Sequence, residues 1–313
     1  MSALDAAITR VRRREKRGRA PRATLGETWW RHAVGVIAGV VALFPVWFLC
    51  SAAFSDESSV SGTTFLPNRV TVKNFSQILH NSVPDRGSTG AVDSHFLRWF
   101  LNTVLIAVIT ALFTVILGSL AAYAFSRFRF RGRRMGMLAL LLIQMFPQLL
   151  LVVALYLIVL NVGDIFHGVG LNTYTGLIVV YLGGSLGVNA WLLKGFFDTI
   201  PAELDESARV DGATPAQIFW GVVLPLAAPV LVVVGLISFV STLNEFVIAS
   251  ALLQTQDHFT LPVGMNGFID QQYGQRWGPF AAGALLAAIP AAVLFTSLQK
   301  WMVSGLTQGA VKG

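Results

Sequence analysis

The sequence predicts an all-α, polytopic membrane protein with six transmembrane helices, and three observations carry that prediction. The 313-residue chain is 54% hydrophobic and only 12% charged, about half the charged share of an ordinary soluble domain, and its mean hydropathy is +0.64. The apolar residues gather into runs of about 20 or more, the length that crosses a hydrocarbon core of about 30 Å. The basic residues gather between particular runs and leave the others nearly bare.

Residues 1–31 are a basic arm holding Arg10, Arg12, Arg13, Arg14, Lys16, Arg17, Arg19, Arg22 and Arg31. The first span, 32–54, reads HAVGVIAGVVALFPVWFLCSAAF. Its apolar core outruns the roughly 7–15 residues of a signal peptide and lacks a clear cleavage site, so it is expected to be a retained helix. The lone Cys50 in it cannot form an internal disulfide. An external segment, 55–98, follows; FLPNRVTVKNFSQIL is expected to pack as a small cap and PDRGSTGAVDS to form a flexible loop. The core, 99–303, holds five further runs: 99–125, about 135–160, 174 to about 191, about 226–253 and about 280–303. A tail, 304–313, closes the chain.

Charge placement sets the orientation. With both termini in the cytoplasm, the inner side receives the arm, Arg127, Arg129, Arg131, Arg133, Arg134, Lys194, Arg209, Lys300 and Lys312. That is 18 of the 23 basic residues, against five outside, a clear positive-inside bias. The pI near 10.0 therefore reflects contact with anionic membrane lipid and not nucleic acid, because the basic residues flank apolar spans.

Polar residues within spans need partners or water. Gln144 and Gln148 in the third run, and Asn244 and Glu245 in the fifth, are candidates to line a cavity. Glu245 stands about 28 Å up its helix, near the outer face, where a hydrated carboxylate and a cavity-lining one are both compatible with its position. The third external loop, 254–279, carries Gln254, Asp257, Phe259, Tyr273 and Trp277. Such amphipathic residues suit a membrane interface and a protein partner alike.

Several chemistries are excluded. GGSLG at 183–187 satisfies the G-x-S-x-G pattern, but no histidine lies well inside a span to activate Ser185. Helix packing through Gly183 and Gly187 is the better account. No paired Cys/His spacing marks a metal site, and no Gly-Lys dipeptide marks a P-loop. The chain is expected to have no catalytic residue and to bind no ATP itself. A stand-alone secondary transporter would show inverted repeats and paired intramembrane charges, and neither is evident.

Between the fourth and fifth runs lies DESARVDGATPAQIFWGVVLPLAAP, 205–229. Pro201 suits a helix start, with Glu203 and Asp205 favourable in its first turns. Gly212 stands where a left-handed residue ends that helix. Thr214, Pro215 and Gln217 then form a capping box for a second helix, whose Ile218, Phe219, Val222 and Val223 are expected to pack under the spans. The low surface between Ala208 and Gly212, with the charge of Glu206 beside it, suits a protein that docks there and an amphipathic linker resting at the membrane surface alike, and the two caps with the glycine turn favour a shaped element.

Glu206-Ser207-Ala208, Gly212 four residues on, and Val222-x-Leu224-Pro225 resemble the EAA signature of binding-protein-dependent ABC importer permeases. The family has alanine where Ser207 stands and usually isoleucine where Val222 stands. The resemblance covers nearly the whole chain, through AYAFSRFRFRG, IQMFPQLL, GLNTYTGLIVVYLGG, DGATPAQ and KWMVSGLTQGAVKG. It is nearest to MalG-type maltose/maltodextrin permease subunits. It implies the type I importer (MetI-like) fold and a place in the bacterial inner, or plasma, membrane. It implies coupling through helices at 201–225, with Glu206, Ser207, Ala208, Gly212, Leu224 and Pro225 engaging a MalK-like ATPase dimer that binds the ATP and magnesium. It further implies a MalF-like second permease holding most of the sugar site, an extracytoplasmic sugar-binding protein met by the loop at 254–279, and a tail, 305–313, extended between the ATPase subunits.

Overall fold

The computed structural model describes residues 25–56, 69–80, 83–84, 91–92, 95–269 and 276–310. The chain divides into an N-terminal unit, 1–50, and a second unit, 51–313. The described part of the first unit belongs to α1 (Leu25–Ala53), with Pro45 inside it. Its Val34, Ile37 and Val41 are exposed apolar residues, the surface of a helix solvated by lipid.

The second unit is built on α3 (Phe96–Arg127), α6 (Tyr174–Phe197), α10 (Ala228–Leu243) and α13 (Trp277–Ala310). Among the described residues, four helices are long and apolar enough to cross a membrane, and two bent helix pairs complete six. Packing fixes their relative directions. Ile106 and Leu177 share one apolar cluster, and Tyr123 and Leu193 share another with Val234. Phe239 packs with Ala107 and Ala111. So α3 and α6 run the same way, and α10 runs against them. One end of this bundle carries Arg127, Arg129, Arg131, Arg133, Arg134, Lys194 and Arg209; it is called the basic face below.

The third run is not one straight helix. α4 (Arg133–Gln144) and α5 (Gln148–Ile165) meet at 106°. Pro147 between them is extended (ψ 118°) and has no N–H to continue the ladder, and a proline disfavours the helical region for the residue before it. A three-residue 3₁₀ turn, His167–Val169, leads towards α6.

The fifth run is interrupted twice. A helical stretch ending in α9 (Leu224–Leu226) meets α10 at 79°. Pro229 lies in the first turn of α10 and withholds the N–H that Pro225's carbonyl would accept. Past Leu243 the chain breaks at Asn244–Phe246 before α11 (Val247–Leu252), and Glu245 is what allows that break. Its carboxylate accepts the N–H groups of Ile248 at 2.8 Å and Ala249 at 3.0 Å, and the Tyr181 hydroxyl at 2.6 Å.

On the face opposite the basic one, α2 (Lys73–Leu79) packs as part of the cap expected over 65–79, of which residues 65–68 lie outside the described ones. Ile78 is fully buried, and Asn74 donates to the carbonyls of Ala53 and Ser55 at 2.9 and 2.8 Å. Gly278 approaches Asn74 so closely that a Cβ there would lie 2.7 Å from its Oδ1, which ties the cap to the start of α13. Of the segment expected to be a flexible loop, 84–94, residues 85–90 and 93–94 lie outside the described ones; Pro84, Ala91 and Val92 take part, with Val83, in a short antiparallel pair, β1 (Val83–Pro84) with β2 (Ala91–Val92). At the other end, Gly305–Ala310 continue α13. Over 305–310 this helix replaces the extended conformation expected for the tail, and residues 311–313 lie outside the described ones.

Candidate functional site

The segment between the fourth and fifth spans forms a bent helix pair on the basic face. α7 (Ala202–Val210) begins after Pro201 with Glu203 and Asp205 in its first turn, where carboxylates complement the helix dipole. It ends on Gly212 at φ +85°. The Gly212 N–H bonds the Arg209 carbonyl at 3.0 Å and the Ala213 N–H bonds the Ala208 carbonyl at 2.9 Å. This pairing is the Schellman closure, and it explains why a residue without Cβ is needed there.

α8 (Pro215–Ile218) opens at once with the expected capping box, since Thr214 accepts from the Gln217 N–H and Gln217 from the Thr214 N–H. A π-helical turn, Phe219–Val223, follows. The Leu224 N–H reaches back to the Phe219 carbonyl, a widening that accommodates the missing N–H of Pro225. Ile218, Phe219 and Val223 are buried with Leu193 and Phe197, and Val222 packs beside them. The helix pair is therefore seated on the bundle.

Glu206 and Ser207 are exposed, and Ser207 donates to the Leu204 carbonyl at 3.1 Å. Ala208 is half-buried, Leu224 is half-buried and Pro225 is exposed. Sequence reasoning missed Val210, an apolar side chain 88% exposed beside this face, with Leu204 40% exposed. A valine in an otherwise charged helix end was the available signal. It also missed Arg127, read only as a basic-loop residue. Arg127 Nε lies 2.9 Å from Asp205 Oδ2, and both side chains are buried. The approach is off the line of the N–H, so the attraction is between charges and not through a straight hydrogen bond. Nearby, Asp198 pairs with Lys194 and accepts from Ser126 Oγ at 2.7 Å. Partial burial alone would raise the Asp198 carboxyl; the Lys194 and Ser126 hydrogen bonds and the charges of Lys194 and Arg133 win and hold it below its ordinary range.

The other candidates fall in two places. Asn244 lines a cavity of about 320 Å³ with Thr103, Leu243, Leu261 and Ala288. Gln144 instead crosses to α6, donating to the Gly184 carbonyl at 2.6 Å; Gly187 lies against it, where a Cβ would come within 3.0 Å. The side chain of Gln148 lies outside the described residues, as does Tyr273. Glu245 is the helix cap described above. Ser185 bonds Thr114 and the Leu182 carbonyl, with no histidine among its partners.

On the opposite face, the start of the third loop is held from below. Trp99 donates to the Gln256 carbonyl at 2.7 Å, and Asn102 to the carbonyls of Asp257 and Phe259, both at 3.0 Å. Asp257 pairs with Arg98. Asn172, at φ +58°, accepts from the N–H groups of Gln254 and Thr255. The Gln254 side chain is exposed, Phe259 packs against the apolar cluster that includes Ile106 and Leu252, and Trp277 opens α13. α12 (Leu261–Asn266) lies over Trp99, and a Cβ on Gly264 would meet that ring at 2.2 Å. Among the described residues no group of His, Cys, Asp and Glu could hold a metal ion.

Four long apolar helices with two bent pairs, and a helix pair seated on the bundle with an exposed face, define a multi-pass membrane protein. The chain belongs to the family of binding-protein-dependent transport system inner membrane components, whose model matches residues 114–308. It is 39% identical over 272 residues to the maltose/maltodextrin transport system permease protein MalG of Vibrio vulnificus, covering 87% of this chain and 91% of that protein. It is 36% identical over 274 residues to the galactooligosaccharides transport system permease protein GanQ of Bacillus subtilis, covering 88% and 92%. A chain of a bacterial ABC transporter involved in the import of the acidic polysaccharide alginate has the same fold, with TM-score 0.68, 23% identity and coverage of 90% and 98%.

Proposed function

We propose that this chain is one of two membrane-spanning subunits of an ATP-driven importer for neutral oligosaccharides of the maltose/maltodextrin class. In this reading a soluble binding protein delivers the sugar on the outer face. A separate pair of ATPase subunits binds ATP and magnesium on the basic face, which is cytoplasmic, as are both termini. α7 and α8 are the coupling element, and Glu206, Val210 and the turn at Gly212 enter the ATPase surface.

The observation that carries this is the construction of residues 201–226. A linker needs no Schellman closure, capping box and buried π turn. These devices fix one shape and present Glu206 and Val210 outward, as a docking element requires. ATP-dependent closure of the ATPase pair would then move the helix pair, and the spans would follow as differential contacts favour an outward-open state. The resemblance of residues 254–277 to the family's outer loop supports contact with the binding protein there.

The test is purification of a tagged chain from its own membrane, together with uptake of labelled oligosaccharides in cells lacking the subunit. An ATPase and a second permease are expected to co-purify, and maltodextrin uptake is expected to be lost and restored with the gene. Uptake of galactooligosaccharides alone would reassign the sugar. A chain that purifies by itself and transports would overturn the coupling role.

A further inference from the structure

The geometry points to the second span, α3, as the rod that the coupling helices drive, with Arg127 and Asp205 as the positioning residues of the joint; this rests on the reading of α7 and α8 as a docking element. In sequence the helix pair hangs between α6 and α10. In space its firmest polar attachment is sideways, to the end of α3. Arg127 is the last residue of that helix. Its guanidinium donates to the Ile200 carbonyl at 2.9 Å, just before Pro201, and faces Asp205 in the first turn of α7 at 2.9 Å. One side chain thus brackets the N-terminus of α7 from both ends. One turn earlier on α3, Tyr123 packs on Phe219 of the π turn with ring centroids 5.0 Å apart. Ser126, between them, donates to Asp198. α7, the π turn that follows α8, and the turn leading into the pair are held by one helix end.

The charges matter because packing could have done the static part. A buried ion pair is no better for stability than apolar side chains of the same volume. Here Asp205 Oδ1 and the Tyr123 hydroxyl are buried without a hydrogen bond, and the Arg127–Asp205 approach is not linear. What the pair supplies is direction and length: a displacement of α7 that lengthens the contact separates opposite charges whose side chains are buried from bulk solvent, where screening is weak. α3 then follows α7, and with it the contacts α3 makes at its far end, where Trp99 and Asn102 hold the loop at 256–259. The joint therefore links the docking face to the outer loop through one continuous helix.

The experiment uses the whole transporter in liposomes, with spin labels at Arg129→Cys and Glu203→Cys in a Cys50→Ser background. One narrow inter-label distance is expected for the parent, and a broadened one for Asp205→Asn and for Arg127→Gln. In the unlabelled transporter these two variants should keep the ATPase bound and hydrolysing while sugar uptake falls by about tenfold, the size of a typical coupling free energy. The exchanged pair Arg127→Asp with Asp205→Arg, or the conservative Asp205→Glu, should recover part of the uptake. Unchanged distance distributions, or full uptake in both single variants, would overturn the joint. Loss of ATPase from Glu206→Lys alone tests the docking reading separately, since the distance measurement does not depend on it.

Discussion

Glu245 shows how one side chain can be legible in type and not in role. A carboxylate in an apolar run demands a partner, and that demand was readable; that it caps α11 and receives Tyr181 was not, because both depend on where α10 stops. We expect Glu245→Leu to leave two N–H groups and one hydroxyl without an acceptor. Each buried orphan costs about 1–3 kcal/mol, so the purified complex should melt at a clearly lower temperature, with Glu245→Gln recovering part of the loss. Equal melting of all three would refute the cap. Gly212 was readable in both respects, since its spacing from Pro201 and Thr214 leaves only a left-handed helix end. Gly212→Val should cost at least about 1–2 kcal/mol of local conformational energy and weaken ATPase retention during detergent washing; Gly212→Asn, which tolerates positive φ, should lose less.

Among elements, α7 and α8 were the most predictable because capping signals are local: they act within four residues and need no knowledge of the bundle. Thr214→Ala removes the cap, worth about 1 kcal/mol, and hydrogen exchange of the amides at 216–218 should quicken by about fivefold. An unaltered exchange rate would mean that burial of Ile218 and Phe219 fixes the helix by itself. The broken third and fifth runs were less predictable. Pro147 and Pro229 were visible, but whether a proline kinks or breaks a span depends on what receives the freed carbonyls. α12 was not readable at all, being six residues that exist because Trp99 and Thr103 receive them. Gly264→Leu should expel that helix from the Trp99 ring, and the yield of assembled transporter should drop while membrane insertion of the chain persists.

For the whole molecule, alternating spans put residues 127–134 and 198–226 on one face and 254–269 on the other. In a Cys50→Ser background, a membrane-impermeant maleimide should label Gln254→Cys in cells with an opened outer envelope, and Glu206→Cys only after the membrane is breached. Labelling of both from one side would exclude this topology. Composition, run length and the crowding of arginines determined the membrane as solvent, the number of crossings and the basic side, because each is a sum over many residues that no single contact can reverse. The capped helix pair was determined too, its signals lying within a few residues of one another. Only the tertiary structure decided which helices run side by side, that Arg127 answers Asp205 across 78 positions, and that Asn102 holds the outer loop. A charge or an amide in a sequence states a need for a partner; the packing of apolar faces, which is non-directional and shared among all the spans, chooses which partner comes within reach.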